Sequence, residues 1–252
     1  MSMSHKQLDF PNINNPKPLL VISDDKLMDY IKCPDFFYWK YLSKIPFKTK
    51  PSFSDLIKQV IDTYMVRLLN GKILTIQEAK RQWDKIIDNE GSRLNEKQIL
   101  DGLGIINQLD RYCRNNKLIV ADINSPYQLN FTENVAVTGK IGTIRYNNDK
   151  LELFVVETSR NLPNQIILDM SLKYTLQAYA ISKLANNYNL NGIRIYHIKS
   201  GSEFTTYRTQ KDFDRLEKTV KNISKAIREN IFYPREDFTC YQCCYKNYCG
   251  YN

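Results

Sequence analysis

The chain has 252 residues, 42% hydrophobic and 25% charged, a composition that fits a folded globular protein and excludes a disordered or fibrous one. Lys plus Arg number 36 against 27 Asp plus Glu, so the net charge of +9 excludes an acidic solvating segment and favours a polyanionic partner, nucleic acid first. No apolar run approaches the ~20 residues of a membrane span, and MSMSHKQLDF lacks the apolar centre of a secretion signal. The six cysteines are therefore expected in a reducing compartment, the cytoplasm of a bacterium or phage-infected cell, where thiols bind metal more often than they pair.

Residues 1–20 carry the steps Asn15-Pro16 and Lys17-Pro18 with little periodicity, which predicts an extended arm. Residues 21–252 are expected to form a single α/β domain: a helical part over 23–116, a core over 117–230 and a cysteine tail over 231–252. Ser23 before Asp24 and Asp25 marks a helix start, and Cys33-Pro34 a break before DFFYWKYLSK resumes helix. Leu56, Val60, Ile61, Tyr64 and Leu68 share one face of a helix expected over 54–69. Two more helices are expected over 75–88 and 95–114, the second weakened by Gly102 and Gly104. The pattern then turns to short strands: YQLNF, NVAVTGKIGTIRY and KLELFVVE, with a hairpin turn at Tyr146 to Asp149. The run LFVVE reads as a buried central strand. Helix returns over 166–185, GIRIYHIKS and FTTYRT read as a strand pair, and FDRLEKTVKNISKAIREN as a last amphipathic helix.

The tail FTCYQCCYKNYC spaces Cys240, Cys243 and Cys249 as Cys-x2-Cys-x5-Cys, a run of soft thiolate donors suited to an iron–sulfur cluster, with zinc as the alternative. Cys244 adjoins Cys243, and either could be a ligand, though the spacing favours Cys243. The fourth ligand is Cys33, at a helix break, or Cys113, which falls in an amphipathic helix where a buried free thiol is the commoner state. A local knuckle that includes Cys244 is the competing arrangement. Ligation through Cys33 would close a loop on the order of 200 residues and remove several kcal/mol of chain entropy from the unfolded state. Four thiolates leave no open coordination position, so the centre is expected to be structural.

Three segments resemble the RecB-like branch of the PD-(D/E)XK nuclease superfamily, in particular members with an iron–sulfur staple such as AddB-type helicase–nuclease subunits and CRISPR-associated adaptation nucleases. SDDKLMDYIKCPDFFYWKYL is similar to the opening helix with its first cluster cysteine. VTGKIGTIRYNNDKLELFVVETSRN is similar to the catalytic hairpin, and YPREDFTCYQCCYKNYC to the closing cluster motif. The resemblance implies a PD-(D/E)XK core, a central mixed sheet flanked by helices, and a 4Fe-4S cluster on Cys33, Cys240, Cys243 and Cys249. In that family an Asp and an Asp or Glu on neighbouring strands hold Mg²⁺, and an adjacent Lys stabilises charge on the scissile phosphate.

Residue by residue, this hairpin departs from the pattern. Gly142 stands where the metal-binding Asp belongs and Ser159 where the Lys belongs, while Glu157 keeps the second carboxylate. The upstream His falls at Gln59, and Gln177 and Tyr179, with Thr175, echo the downstream Gln and Tyr. Each loss typically costs on the order of 10²–10³ in rate. The expected reading is a nuclease fold without cutting activity, retained as a nucleic-acid-binding or structural subunit of a DNA-processing complex. The alternative is an active Mg²⁺-dependent DNA exonuclease or endonuclease with a rearranged site, in which Asp169 or Asp149 supplies a carboxylate and Arg160, Lys140 or Lys173 the cation. Expected nucleic-acid contacts are Lys140, Arg145, Arg160, Lys173, Gln177 and Tyr179, with Lys199 and Arg208 beyond them. The run FFYWKY is expected to pack around Cys33.

Overall fold

The computed structural model describes residues 20–43, 45, 51–90, 94–148, 150–184 and 190–249. The expected arm lies outside them except for Leu20, and so does Asp149. In chain order the elements are β1 (Leu20–Ser23), α1 (Asp24–Lys32), α2 (Pro34–Phe37) continued by a wide turn over Tyr38–Leu42, α3 (Phe53–Leu69), α4 (Ile76–Glu90) and α5 (Glu96–Asn115). Then follow β2 (Ile119–Asp122), β3 (Pro126–Thr132), β4 (Val135–Lys140), β5 (Thr143–Asn147), β6 (Lys150–Glu157), α6 (Gln165–Met170), α7 (Leu172–Leu184), β7 (Leu190–His197), β8 (Ser202–Thr206) and α8 (Gln210–Arg228). A short 3₁₀ helix over Phe238–Gln242 leads into the last cysteines. The protein is mixed α/β, with two mixed sheets flanked by helices. No helix among the described residues is long and apolar enough to cross a membrane.

The chain sorts into two compact units, each built from separated stretches. Among the described residues the first comprises 51–125 and 140–208. Its sheet runs β2-β5-β6-β7-β8. Pairing is antiparallel from β2 to β5 and from β5 to β6, parallel from β6 to β7, and antiparallel again to β8. A parallel pair needs a crossover, and α6 and α7 supply it. The middle position of β6 explains its apolar run: Leu151, Leu153 and Phe154 are buried. On α3, Leu56, Ile57, Val60, Ile61, Tyr64 and Met65 are buried at helical spacing, against a cluster that also takes in Trp83 of α4 and Ile105, Ile106 and Leu109 of α5. Gly102 is needed there: a Cβ would run into the Trp83 indole, whose Nε1 donates to Ile99 O at 3.2 Å.

The second unit comprises 20–45, 126–139 and 209–249. Its sheet orders β1-β4-β3, with β1 parallel to β4. Ser23 caps α1, its hydroxyl accepting from Lys26 N at 3.3 Å, and Asp24 and Asp25 lie in the first turn as the sequence predicts. α8 packs against β3 and α1. Of the FFYWKY run only Phe37 is buried, and Tyr38 and Lys40 are exposed. Phe37 is buried beside Tyr30 and Phe232, with ring centroids 5.5 and 6.1 Å away.

Two differences from the expected elements stand out. β2 falls in a stretch with no expected strand, because LIVAD is too short to show alternation. The helix expected over 166–185 is two helices that meet at Ser171, which adopts an extended backbone.

Candidate functional site

In the first unit, Gly142 leads into β5 and Glu157 ends β6, opposite His197 on β7. α7 brings Gln177 to the start of the hairpin, where its Oε1 accepts from Gly142 N at 3.3 Å. A Cβ on residue 142 would lie 3.3 Å from the same oxygen, so the Gln177 amide stands directly against that position. Glu157 Oε1 accepts from Ser159 N at 2.8 Å, which folds the strand end back on its own carboxylate. Burial, and after it the charge of Glu157, pushes the Tyr174 hydroxyl up to about 12, so it is a protonated donor at neutral pH.

His197 is a participant that the sequence analysis missed. It is buried, its Nε2 lies 3.0 Å from Ser159 O and its Nδ1 2.8 Å from Ser200 Oγ. A carbonyl only accepts, so Nε2 carries the proton and the ring fixes the turn after Glu157. Only strand register could have revealed this. Asp62 on α3 is a second omission. Burial raises its carboxyl against the opposing charges of Lys58 and Lys140.

The expected nucleic-acid residues divide sharply. Lys140, Arg160, Lys173 and Lys199 are exposed. Arg145 is only 6% exposed: Nε and Nη2 donate to Glu152 at 3.2 and 3.1 Å, Nη1 donates to Tyr112 OH at 2.8 Å, and the group lies over the Phe154 ring. It is a core ion, not a phosphate contact. Tyr179 is 7% exposed with Lys183 over its ring, and Gln177 is engaged at Gly142, so neither offers a stacking face. Arg208 donates to Thr175 Oγ1, Thr206 Oγ1 and the carbonyls of Tyr207, Leu168 and Ser171, which ties β8 to the α6–α7 junction. Thr175 is fully buried in that clamp. Gln59 is exposed on α3. Asp169 accepts from Gln165 of its own helix at 2.8 Å. Among the described residues no three His, Cys, Asp or Glu side chains converge closely enough to hold a single metal ion.

In the second unit, the tail is fastened along α1 and α2. Tyr30 OH donates to Ile231 O at 2.7 Å, Asp35 N to Tyr233 O at 3.1 Å and Arg235 Nη1 to Ile31 O at 2.9 Å. This brings Cys33 to the last cysteines: Cys33, Cys240, Cys243, Cys244 and Cys249 all line one cavity of about 410 Å³. Cys33 caps α2, and its sulfur accepts from Phe36 N at 3.4 Å and Arg235 N at 3.5 Å. Cys240 Sγ accepts from Asp237 N at 3.5 Å and, as a thiol, donates to Arg235 O at 3.7 Å; Cys249 Sγ donates to Lys246 O at 3.5 Å. Lys32, Arg235 and Lys246 also line the cavity against one acid, Asp35, so its charged surround is net positive. Phe36, Trp39 and Tyr245 wall it, and Phe36 pairs with Tyr245 at 5.5 Å and Trp39 with Tyr248 at 5.6 Å. Cys113 lies in the other unit, buried on α5, its thiol pushed up to about 12 chiefly by that burial. It is the free core thiol that the helical context suggested.

No protein-family model matches the chain, and no curated protein matches it. Among solved structures it is similar to one described as "Crystal structure of SSO0001", with 14% sequence identity and a TM-score of 0.38 over 90% of this chain and 94% of that one. A likeness so weak carries neither fold nor function across. What the protein does is therefore argued from its own residues.

Proposed function

We propose that this chain is a PD-(D/E)XK-like protein of RecB type that has lost its cutting site and binds nucleic acid, DNA favoured, as a component of a larger DNA-processing assembly. The observation that carries this reading is the β5–β6 hairpin inside an antiparallel, antiparallel, parallel run of strands, with α7 delivering Gln177 to Gly142. That layout suits a site in which carboxylates from adjacent strands would share a cation. Here Glu157 is the one acid left on the hairpin's catalytic positions, and half the charge that would offset Mg²⁺ desolvation is gone. With Ser159 in place of a cation, nothing on the hairpin steadies a pentavalent phosphate. Lys140, Arg160, Lys173 and Lys199 remain to attract phosphates.

The cysteine-lined cavity supports a metal centre in the same reading. Its donors are soft, backbone N–H groups point at two of the sulfurs, and three cations offset the negative charge of a thiolate-bound cluster. One zinc would draw its sulfurs to within about 4 Å of one another, given Zn–S bonds of about 2.3 Å. Five sulfurs around a cavity of about 410 Å³, with no three donors among the described residues converging on one point, suit a 4Fe-4S cluster better, with Cys33, Cys240, Cys243 and Cys249 to hold it. When bound, such a cluster would supply a cross-link between the tail and α1–α2, not a reaction. Free thiols of this kind belong in a reducing cytoplasm.

Anaerobically purified protein tests the reading on single- and double-stranded DNA with Mg²⁺ or Mn²⁺. DNA should be retained uncut, with log K falling against log salt at a slope of about −3 to −4 if four basic side chains each meet a phosphate. Replacing any of the four by Ala should lower that slope by about one. The pair Gly142→Asp and Ser159→Lys should introduce metal-dependent cutting. Cleavage by the native protein that disappears in Glu157→Ala would overturn the claim of lost activity.

A further inference from the structure

Five thiols line the cavity, while a four-iron cluster takes four. Three of the five are anchored by neighbouring backbone: Cys33 by the N–H groups of Phe36 and Arg235, Cys240 by Asp237 N and Arg235 O, and Cys249 by Lys246 O. Among the described residues, no other residue makes a hydrogen bond to the sulfur of Cys243 or Cys244. These two are consecutive and both partly exposed. Cys243 ends the 3₁₀ helix with an extended backbone at φ −70° and ψ 126°, and its N–H bonds to Cys240 O at 3.1 Å. Beyond it the chain continues in turns closed by Lys246 N to Cys243 O at 3.3 Å and Cys249 N to Tyr245 O at 3.2 Å.

We infer that the fourth ligand is not one cysteine but an interchangeable vicinal pair, Cys243 and Cys244. This rests on the cluster proposed above. Both sulfurs already line the cavity, so a change of side-chain rotamer at either residue exchanges which of them would meet the iron. The exchange is not a redox step. The incoming thiol forms a new iron–sulfur bond as the outgoing one breaks, and its proton passes to the departing thiolate, so charge and electron count are unchanged. The pair gives the centre a reserve donor, so that chemical damage to one thiol does not release the iron.

Iron and acid-labile sulfide per chain, measured on anaerobically purified full-length protein, test the pair. Cys243→Ala and Cys244→Ala should each keep iron within about twofold of the native protein, whereas the double variant, and Cys33→Ala, Cys240→Ala or Cys249→Ala singly, should lose about tenfold or more. Alkylation of the loaded native protein, read by fragment mass spectrometry, avoids any folding defect of a variant. Label should divide between Cys243 and Cys244 and spare Cys33, Cys240 and Cys249. If Cys243→Ala alone empties the centre and label falls on Cys244 only, the pair is refuted and the cluster stands with Cys243 as its fixed ligand. The mirror result, with Cys244 as the dedicated ligand, refutes it equally. Native protein without iron and sulfide removes the cluster itself and the pair with it, whereas a Cys33→Ala variant that keeps both means that Cys243 and Cys244 bind together, which refutes an exchanging pair.

Discussion

Arg145 and Glu152 face each other across β5 and β6, and a buried pair of this kind is a liability unless every remaining valence is met. Here Glu152 also receives Asn147 and Arg194. Burial pushes its carboxyl up, but the hydrogen bonds from Asn147, Arg194 and Arg145 outweigh that and hold it below the ordinary value of 4.5. A depressed carboxyl contributes stability that is complete above its unfolded value and disappears as pH falls through the folded one. The urea midpoint should therefore drop as pH is lowered from about 6 to about 3, and Glu152→Gln should start lower and fall less steeply. An unchanged slope in that variant would remove Glu152 as the source. Gly102 gives a second forecast at this scale. Ala in place of a helical Gly normally gains up to about 1 kcal/mol. At Gly102 the added carbon meets the Trp83 indole, with Nε1 at 2.9 Å and ring carbons nearer still. Overpacking of that kind should reverse the sign, to a loss of about 1–3 kcal/mol by denaturant titration.

The helices begin and end where local chemistry places them. α3 starts at a reciprocal cap in which Ser52 Oγ accepts from Asp55 N at 3.2 Å and Asp55 Oδ2 accepts from Ser52 N at 2.8 Å. The side-chain and backbone hydrogen bonds of Ser52 hold the Asp55 carboxyl below its ordinary range. Ser52→Ala should lower stability by about 1 kcal/mol, and an NMR titration should find Asp55 moved upward, toward that range. No upward movement would mean that the hydroxyl is not what lowers it. Strands were harder to read. The alternation of YQLNF shows one buried face of β3, and it is plain because that face is buried residue by residue. The four residues of β2 gave no such signal, and its existence depends on β5 lying alongside. The break at Ser171 was equally hidden, since the residues that hold it, Arg208 above all, lie more than 35 positions downstream.

At the scale of the molecule, the second unit holds α1 and α2 to a tail some two hundred positions away. Among the described residues the hydrogen bonds that do so come from the Tyr30 hydroxyl, the Asp35 and Arg235 backbone N–H groups and the Arg235 guanidinium, beside aromatic contacts of Phe232, Tyr245 and Tyr248. A metal bridge across Cys33 and the tail cysteines would add restraint comparable to closing a long loop, roughly 4–5 kcal/mol on the chain-entropy account. Oxidative removal of iron in the presence of a chelator should lower the melting temperature and speed tryptic cleavage at Arg235 and Lys246, which are exposed but held in the tail. Equal digestion of loaded and stripped protein would refute a stapling role. The surplus of basic residues belongs to this scale too. Composition announces it, yet two of the arginines expected to serve it, Arg145 and Arg208, are engaged inside the first unit.

Spacing along the chain was enough to place most helices, the β5–β6 hairpin and the tail motif. Those properties depend on neighbours within a few residues, where periodicity, capping and turn chemistry act directly. Folding alone settled which distant groups meet: Cys33 with the last cysteines, Gln177 with Gly142, His197 with the turn after Glu157. Such meetings arise from burial of apolar faces and strand register, and no local rule ties one member of each pair to the other.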